Sequence, residues 1–171
     1  ANSKVRLNFN HPVKELVWVI QDQEVARDNL FSYGLDYVDD TATDGLVPMA
    51  PGGTNANYTD YFKTAKIMLN GHDRFSERPA SYFRLVQPYQ HHTRAAEDDF
   101  IYCYSFALNP EEHQPSGTCN FSRIDNASLS FTGLNREGSG SQANTPNIKV
   151  FAVNYNVLKI MSGMGGLSFS N

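Results

Sequence analysis

Alternation of apolar with polar or small residues is the feature that most constrains how this chain can fold. Successive side chains of a strand point to opposite faces, so a period of two residues predicts β-strands. The pattern occurs at residues 4–9, 15–21, 65–70, 100–108, 128–131 and 148–160. Segments 15–21 and 148–160 carry apolar residues on both faces, which is typical of a central strand or of a strand covered by a partner.

Two long segments separate these predicted strands. Residues 22–60 lose regular periodicity and contain several glycines and prolines, yet they are too apolar for a free linker. We therefore expect this segment to pack on a neighbouring surface, and the pattern is compatible with a short strand near residues 35–38. Residues 133–147, centred on a Gly-Ser-Gly-Ser run, are expected to form a flexible, exposed loop.

One short helix is predicted over residues 78–86. Pro79 suits the first turn of a helix, and Tyr82 and Val86 share one helical face. Pro88 is expected to end the helix, since an interior proline removes a hydrogen bond and clashes with the preceding turn.

Six or more strands, long loops and one short helix predict an all-β chain, an antiparallel β-sandwich of jelly-roll type. The length of 171 residues suits a single domain, residues 1–171. Periodicity alone does not separate a jelly roll from an immunoglobulin-like sandwich. The Cys…Trp…Cys order of the latter is missing, because Trp18 precedes both Cys103 and Cys119.

Composition argues against several classes of function. The net charge of −4, the pI near 5.7 and the lack of any Lys/Arg run make direct nucleic-acid binding unexpected. No apolar run approaches the ~20 residues of a membrane span. Two cysteines are too few for a disulfide scaffold, and we expect both to be free thiols. The chain lacks an initiator methionine and enters a strand almost at once, so we expect a piece of a longer polypeptide.

The histidines are the residues best suited to hold a metal, and none shows ligand spacing. They are His11, His72, His91, His92 and His113. His91 and His92 are adjacent, so their side chains diverge on a strand or on a helix. We expect polar turn or capping roles for all five, and therefore no metal.

The segment 109–126 predicts an ordered polar corner between two strands. Its prolines and its Ser-Gly dipeptide interrupt pairing, and adjacent Glu111 and Glu112 would diverge at a solvated tip rather than converge on a substrate. The Gly163–Gly166 run lacks the following helix that a phosphate loop needs. Residues 161–171 are interpreted as a flexible or docked terminal arm. We predict no catalytic residue and no cofactor.

Three sequons, at Asn57, Asn120 and Asn126, are potential N-glycosylation acceptors. Because the tripeptide arises often by chance and no secretory signal is visible, their occupancy stays open.

Four long strings of the sequence resemble one family of viral shell proteins. They are Val5–Val19, Leu85–Thr93, Pro110–Asp125 and Val153–Asn171, which follow one another in the family's order and are distributed from residue 5 to residue 171. The family is the major capsid proteins of nucleocytoplasmic large DNA viruses, and the likeness is to its iridovirus, ascovirus and marseillevirus members.

The resemblance implies a structural, non-enzymatic protein of the virion. It implies that this chain is the C-terminal half of a double jelly roll, with the N-terminal jelly roll absent. Three copies would form a pseudo-hexagonal capsomer that contacts neighbouring capsomers and minor capsid proteins. Capsomers would tile an icosahedral shell over an internal membrane without inserting into it, and assembly would take place in the host cytoplasm.

Two further expectations concern surfaces. Residues 22–60 are expected to supply lateral contacts, with residues 133–147 facing outward. The alternative function is a β-sandwich that binds carbohydrate or a receptor through clustered exposed aromatics such as Tyr58, Tyr61 and Phe62. A metal-dependent jelly-roll enzyme is a second alternative, and the histidine spacing disfavours it.

Overall fold

Antiparallel strands account for most of the regular structure. The computed structural model describes residues 2–21, 33–40, 45–48, 57–95, 99–134 and 146–169. The strands are β1 (Ser3–Arg6), β2 (Pro12–Gln21), β3 (Leu35–Asp40), β4 (Gly45–Pro48), β5 (Asn57–Thr59), β6 (Thr64–Leu69), β7 (His72–Asp73), β8 (Arg78–Pro79), β9 (Tyr102–Ser105), β10 (Cys119–Asn120), β11 (Ala127–Thr132), β12 (Asn147–Asn154), β13 (Leu158–Met161) and β14 (Met164–Leu167).

Two larger sheets carry the body of the protein. One has the order β1-β11-β6-β7, with β8 also pairing with β6; the other has the order β10-β2-β12, with β9 also pairing with β2. All these pairings are antiparallel. Because β12 follows β2 from Val13 to Gln21 along one edge, β9 and β10 pair with its other edge. The prediction that segment 15–21 is a central strand is confirmed.

The core lies between these two sheets. Leu16, Trp18 and Ile20 of β2 are fully buried, as are Leu129 and Phe131 of β11. Phe62 bridges the layers, with its ring centroid 4.9 Å from that of Phe131 and 4.8 Å from that of Tyr102 in β9. The apolar residues of each alternating segment therefore face the core. The predicted antiparallel sandwich is confirmed.

The helix extends further along the chain than the positions of its prolines predicted. A π-helical turn, Tyr82–Val86, leads directly into an α-helix, α1 (Gln87–His91). The backbone N–H of Gln87 donates to Tyr82 O, five residues back, and Pro88 then lies in the first turn of α1, where an N–H is not required. The prediction of a helix is confirmed, whereas the prediction that Pro88 ends it is wrong. Residues 78–79 are the short strand β8 rather than its first turn.

Strand β9 is shorter than the predicted segment 100–108. The backbone N–H groups of Phe106 and Ala107 both donate to Lys14 O, and the hydroxyl of Ser105 donates to Ala107 O and accepts from Ala107 N–H, so the regular one-to-one pairing with β2 ends after Ser105. Phe100, with φ of 51°, already lies outside the extended region. Leu108, expected on the apolar face, is 71% exposed.

The predicted continuous strand 148–160 is two strands. The register of β12 against β2 shifts between Val153 and Asn154, and the pairing with β2 ends after the Tyr155 N–H donates to Pro12 O. The chain then forms a separate hairpin, β13–β14, whose turn residues Ser162 and Gly163 have φ of 51° and 81°. Successive positive φ values are typical of the tight turns that join hairpin strands. The end of the chain, interpreted as a flexible or docked terminal arm, thus includes the turn and the second strand of this hairpin.

The segment 22–60 contains more regular structure than its sequence indicated. Strands β4, β3 and β5 pair in that order into a small antiparallel sheet, and the short strand near residues 35–38 is confirmed. Residues 22–32, 41–44 and 49–56 lie outside the described part of the chain. Most of the predicted loop 133–147 also lies outside it, since residues 135–145 are not described.

Candidate assembly surface

His92 follows directly after α1 and lies between two carboxylates. Its Nε2 is 3.0 Å from Oε2 of Glu15 in β2, and its Nδ1 is 3.2 Å from Oε1 of Glu111 in the polar corner. The contact with Glu15 has the separation of an ion pair without the alignment of a hydrogen bond. His92 therefore ties the helix, the central strand and the corner together.

Glu111 is better fixed than the predicted solvated tip implied. Its Oε1 accepts hydrogen bonds from the Thr93 backbone N–H at 3.1 Å and from the Thr93 hydroxyl at 3.3 Å. The Thr93 N–H, together with the Thr93 hydroxyl and His92, lowers the pKa of Glu111 from its ordinary value. Glu112 and His113 are exposed as expected. The corner is therefore a surface element held in position by the contacts of Glu111 with Thr93 and His92.

Asp60 is the hub of a second polar cluster beneath the helix. It accepts a hydrogen bond from Arg84 Nε at 3.1 Å and another from the Tyr102 hydroxyl at 2.8 Å. The guanidinium of Arg84 also lies over the ring of Phe100, 4.7 Å from its centroid. Burial, and then the negative charge of Asp60, raises the pKa of Tyr102 above its ordinary value. This arrangement stabilises the fold, and the raised pKa keeps the phenol neutral.

Both cysteines are free thiols, as predicted. Burial, and then the charge of Glu15, raises the pKa of Cys103 to about 12. Burial also raises the pKa of Cys119. A nucleophilic cysteine needs a lowered pKa and access to solvent, and neither residue has both.

The histidines are spread over the described part of the chain. His91 Nδ1 lies 2.9 Å from Leu108 O, His11 is buried with its backbone N–H donating to Ser122 Oγ, and His72 is exposed in β7. Within the described ranges, no three His, Cys, Asp or Glu residues are grouped so that they could hold a metal ion.

Two of the three aromatics proposed for a carbohydrate-binding surface lie in the core. Tyr61 and Phe62 are almost completely buried, because they enter the sandwich just before β6. The side chain of Tyr58 lies outside the description. The prediction that Tyr61 and Phe62 belong to an exposed aromatic cluster is therefore wrong.

The outer face near the C-terminus is an apolar surface feature of the described residues. Large apolar side chains between 38% and 76% exposed are Phe151, Val153, Val157, Leu158, Ile160, Met161, Met164, Leu167 and Phe169. Strand β12 turns Ile148, Val150 and Ala152 toward the core and Phe151 and Val153 outward. Strands β13 and β14 are exposed at every residue. We call residues 151–169 the C-terminal apolar surface.

Sequence reasoning missed this hairpin because the alternation continues through Tyr155 and Val157. A signal was present in the Ser162-Gly163 dipeptide, which commonly marks a turn.

A second apolar feature lies beside the helix. Leu85, Val86, Tyr89 and Ala95 line an open groove of about 400 Å³. The ring of Tyr89 is 83% exposed. Apolar patches of this kind mark interaction surfaces more often than reaction centres.

Comparison with known proteins gives the family. The family model described as large eukaryotic DNA virus major capsid protein matches residues 1–166. The chain belongs to this family. It is therefore a structural, non-enzymatic protein, as the sequence predicted, and the family is one of virion capsid components.

Individual relatives agree along the whole chain. The major capsid protein of Pyramimonas orientalis virus is 44% identical and matches 100% of this chain and 40% of its own length. That of Paramecium bursaria Chlorella virus 1 is 41% identical, with 100% of this chain and 44% of the relative covered. The chain thus spans less than half the length of these capsid proteins.

A solved capsid structure gives the same fold. A quasi-atomic model of the PBCV-1 virus capsid superimposes with a TM-score of 0.71 at 39% identity, covering 100% of this chain and 46% of that one. The neighbours are jelly-roll capsid proteins, which resolves the choice that periodicity left open between a jelly roll and an immunoglobulin-like sandwich. In the described residues, no helix is long and apolar enough to cross a bilayer.

Proposed function

We propose that this chain is one jelly-roll domain, the C-terminal half, of a major capsid protein that trimerises into pseudo-hexagonal capsomers. The capsomers tile the icosahedral outer shell of a large DNA virus. The observation that carries the proposal is the family match over residues 1–166 together with coverage of less than half of each relative.

The surface chemistry supports an assembling protein. A shell subunit needs rigid sheets and wide lateral contact, and permanent interfaces typically bury ~2,000 Å² or more in total. The C-terminal apolar surface and the groove beside the helix both offer uncovered apolar area. The polar clusters around His92 and Asp60 are bonded internally and stiffen the body between these surfaces.

Other partners follow from the same proposal. Neighbouring capsomers and minor capsid proteins contact the outer surfaces, with the segment 22–60 among the lateral contacts and the tip 133–147 facing outward. The acidic balance of the chain fits a shell that touches no nucleic acid and lies outside the internal membrane. Assembly takes place in the host cytoplasm.

The test is the oligomeric state of the intact capsid polypeptide that carries this sequence. Native mass spectrometry and electron microscopy are expected to give trimers with pseudo-hexagonal outlines. Monomer alone at high protein concentration contradicts the proposal. A second variant lacks the jelly roll that we propose precedes this sequence. Circular dichroism of the remaining chain is expected to show that its sheets are retained, which tests the domain assignment separately from trimerisation.

A further inference from the structure

The hairpin β13–β14 is anchored at its base and open along its length. At the base, Ser168 N–H donates to Val157 O, Asn156 Nδ2 donates to Phe169 O, and the ring of Phe169 lies 6.1 Å from that of His11. Beyond the base, every residue of the two strands is exposed. The hairpin therefore extends from the body in a defined position, with both of its faces uncovered.

Both faces of the hairpin are apolar. Directly opposed residues of an antiparallel pair share a face, so Leu158 and Leu167 lie on one face and Met161 and Met164 on the other. These four side chains are 62–76% exposed. A two-stranded hairpin is only marginally stable alone in water. Such a hairpin is expected to be covered in the working form of the protein.

Two glycines give an independent indication of close approach. Gly165 and Gly166 of β14 lie opposite Ile160 and Lys159. A Cβ atom on Gly166 would meet nothing within 4 Å, and one on Gly165 would meet only Leu158 Cδ1, at 3.9 Å. Neither has the positive φ that favours glycine. Contacts within the chain leave room for a side chain at both positions, and strand glycines often mark the close approach of another backbone.

Charge indicates which partner covers the hairpin. Residues 146–171 contain two lysines and no acidic residue, whereas the other 145 residues contain 12 basic and 18 acidic residues. Lys159 is exposed on the hairpin itself. A basic, apolar arm is complementary to the acidic body of another copy of this same chain.

We propose that the β13–β14 hairpin is an assembly arm that docks on a second copy of this chain, with the partner's backbone passing over Gly166 on the face that carries Lys159. This inference rests on the proposed function and names the element through which copies hold one another. Lys159 reaches acidic side chains of the neighbour, and the Leu, Ile and Met side chains bury against its surface.

Zero-length cross-linking identifies the occupant. Unlabelled and ¹⁵N-labelled intact polypeptides are mixed, assembled and treated with a carbodiimide, which couples lysine amines to carboxyl groups. Mixed-isotope peptide pairs between Lys159 and Asp or Glu residues of residues 1–145 are expected, and Lys159→Arg abolishes them while keeping the charge. Pairs confined to one isotope, pairs with sequence outside this chain, or no Lys159 pairs at all overturn the proposal.

Substitutions separate docking from folding. Ile160→Ser with Met164→Ser is expected to weaken association at least tenfold in sedimentation velocity, whereas Leu108→Ser, at an equally exposed position, leaves it unchanged. Gly166→Ala should leave the melting temperature unchanged and still weaken association. Assembly of the hairpin variants at wild-type strength overturns the arm and leaves the proposed capsid function standing. A wild-type protein that does not assemble overturns both.

Discussion

The hydroxyl of Tyr102 donates a 2.8 Å hydrogen bond to the carboxylate of Asp60 and so joins the sheet that contains β2 and β9 to the segment that precedes β6. Arg84 from the helix meets the same carboxylate at 3.1 Å. Three parts of the fold that are far apart in sequence thus depend on one acidic side chain.

Asp60→Ala is expected to lower the free energy of unfolding by about 2–4 kcal/mol, because it removes the carboxylate that pairs with the largely buried Arg84 guanidinium and accepts from the buried Tyr102 hydroxyl. Urea unfolding followed by circular dichroism measures the change. The matched control is Asp73→Ala, which removes an exposed pair with Lys66 and should cost no more than about 1 kcal/mol. Equal losses for the two variants contradict the role assigned to Asp60.

Glu111→Gln is expected to destabilise the chain at neutral pH but not in acid. The folded-state pKa of Glu111 lies below its ordinary value of 4.5, so folding favours the ionised form. Its contribution is present above that value and disappears as the pH falls through the folded pKa. Unfolding curves over this pH range should therefore converge for the variant and the wild type. Glu112→Gln, at the adjacent exposed position, should follow the wild type throughout.

Gly117→Ala is expected to cost roughly 1–3 kcal/mol of stability because of backbone strain and crowding. Gly117 has φ of 148°, and a Cβ atom there would lie 2.7 Å from Phe106 O. Thermal unfolding measures the loss. A melting temperature at or above that of the wild type would show that the corner can rearrange.

Cys103 is expected to react with a thiol reagent at pH 8 only when the protein unfolds, because its thiol is buried and its pKa is raised to about 12. Absorbance at the wavelength of the released chromophore follows the reaction. A Cys119→Ser variant isolates the signal of Cys103, and urea restores full reactivity. Rapid reaction of the folded variant would mean that the strand opens.

The sequence predicted the interior of the sandwich better than its surface. Burial imposes alternation directly, so the apolar faces of β2, β6 and β11 were readable from residues such as Trp18, Ile67 and Leu129. Alternation says nothing about where a strand stops pairing. The predicted strand 148–160 therefore combined β12 and β13, which the structure separates after the register shift at Val153. The predicted strand 100–108 likewise extended beyond Ser105, where β9 ends.

The polar clusters could not be predicted because they join distant parts of the chain. Glu15 and His92 are 77 residues apart in sequence and 3.0 Å apart in space. His91 and His92 contact different groups, in agreement with the divergence of their side chains that adjacency predicted. Only the folded positions of β2, the helix and the corner reveal that His92 meets two carboxylates.

Because Glu111 holds the polar corner in position, antibodies raised against a peptide and antibodies raised against the folded protein should recognise the corner differently. Glu111 owes its position to Thr93 and His92, which a short synthetic peptide spanning residues 109–118 would not contain. Antibodies raised against such a peptide would meet a free chain, while antibodies raised against the folded protein would meet a fixed shape. The two sera are therefore expected to cross-react poorly.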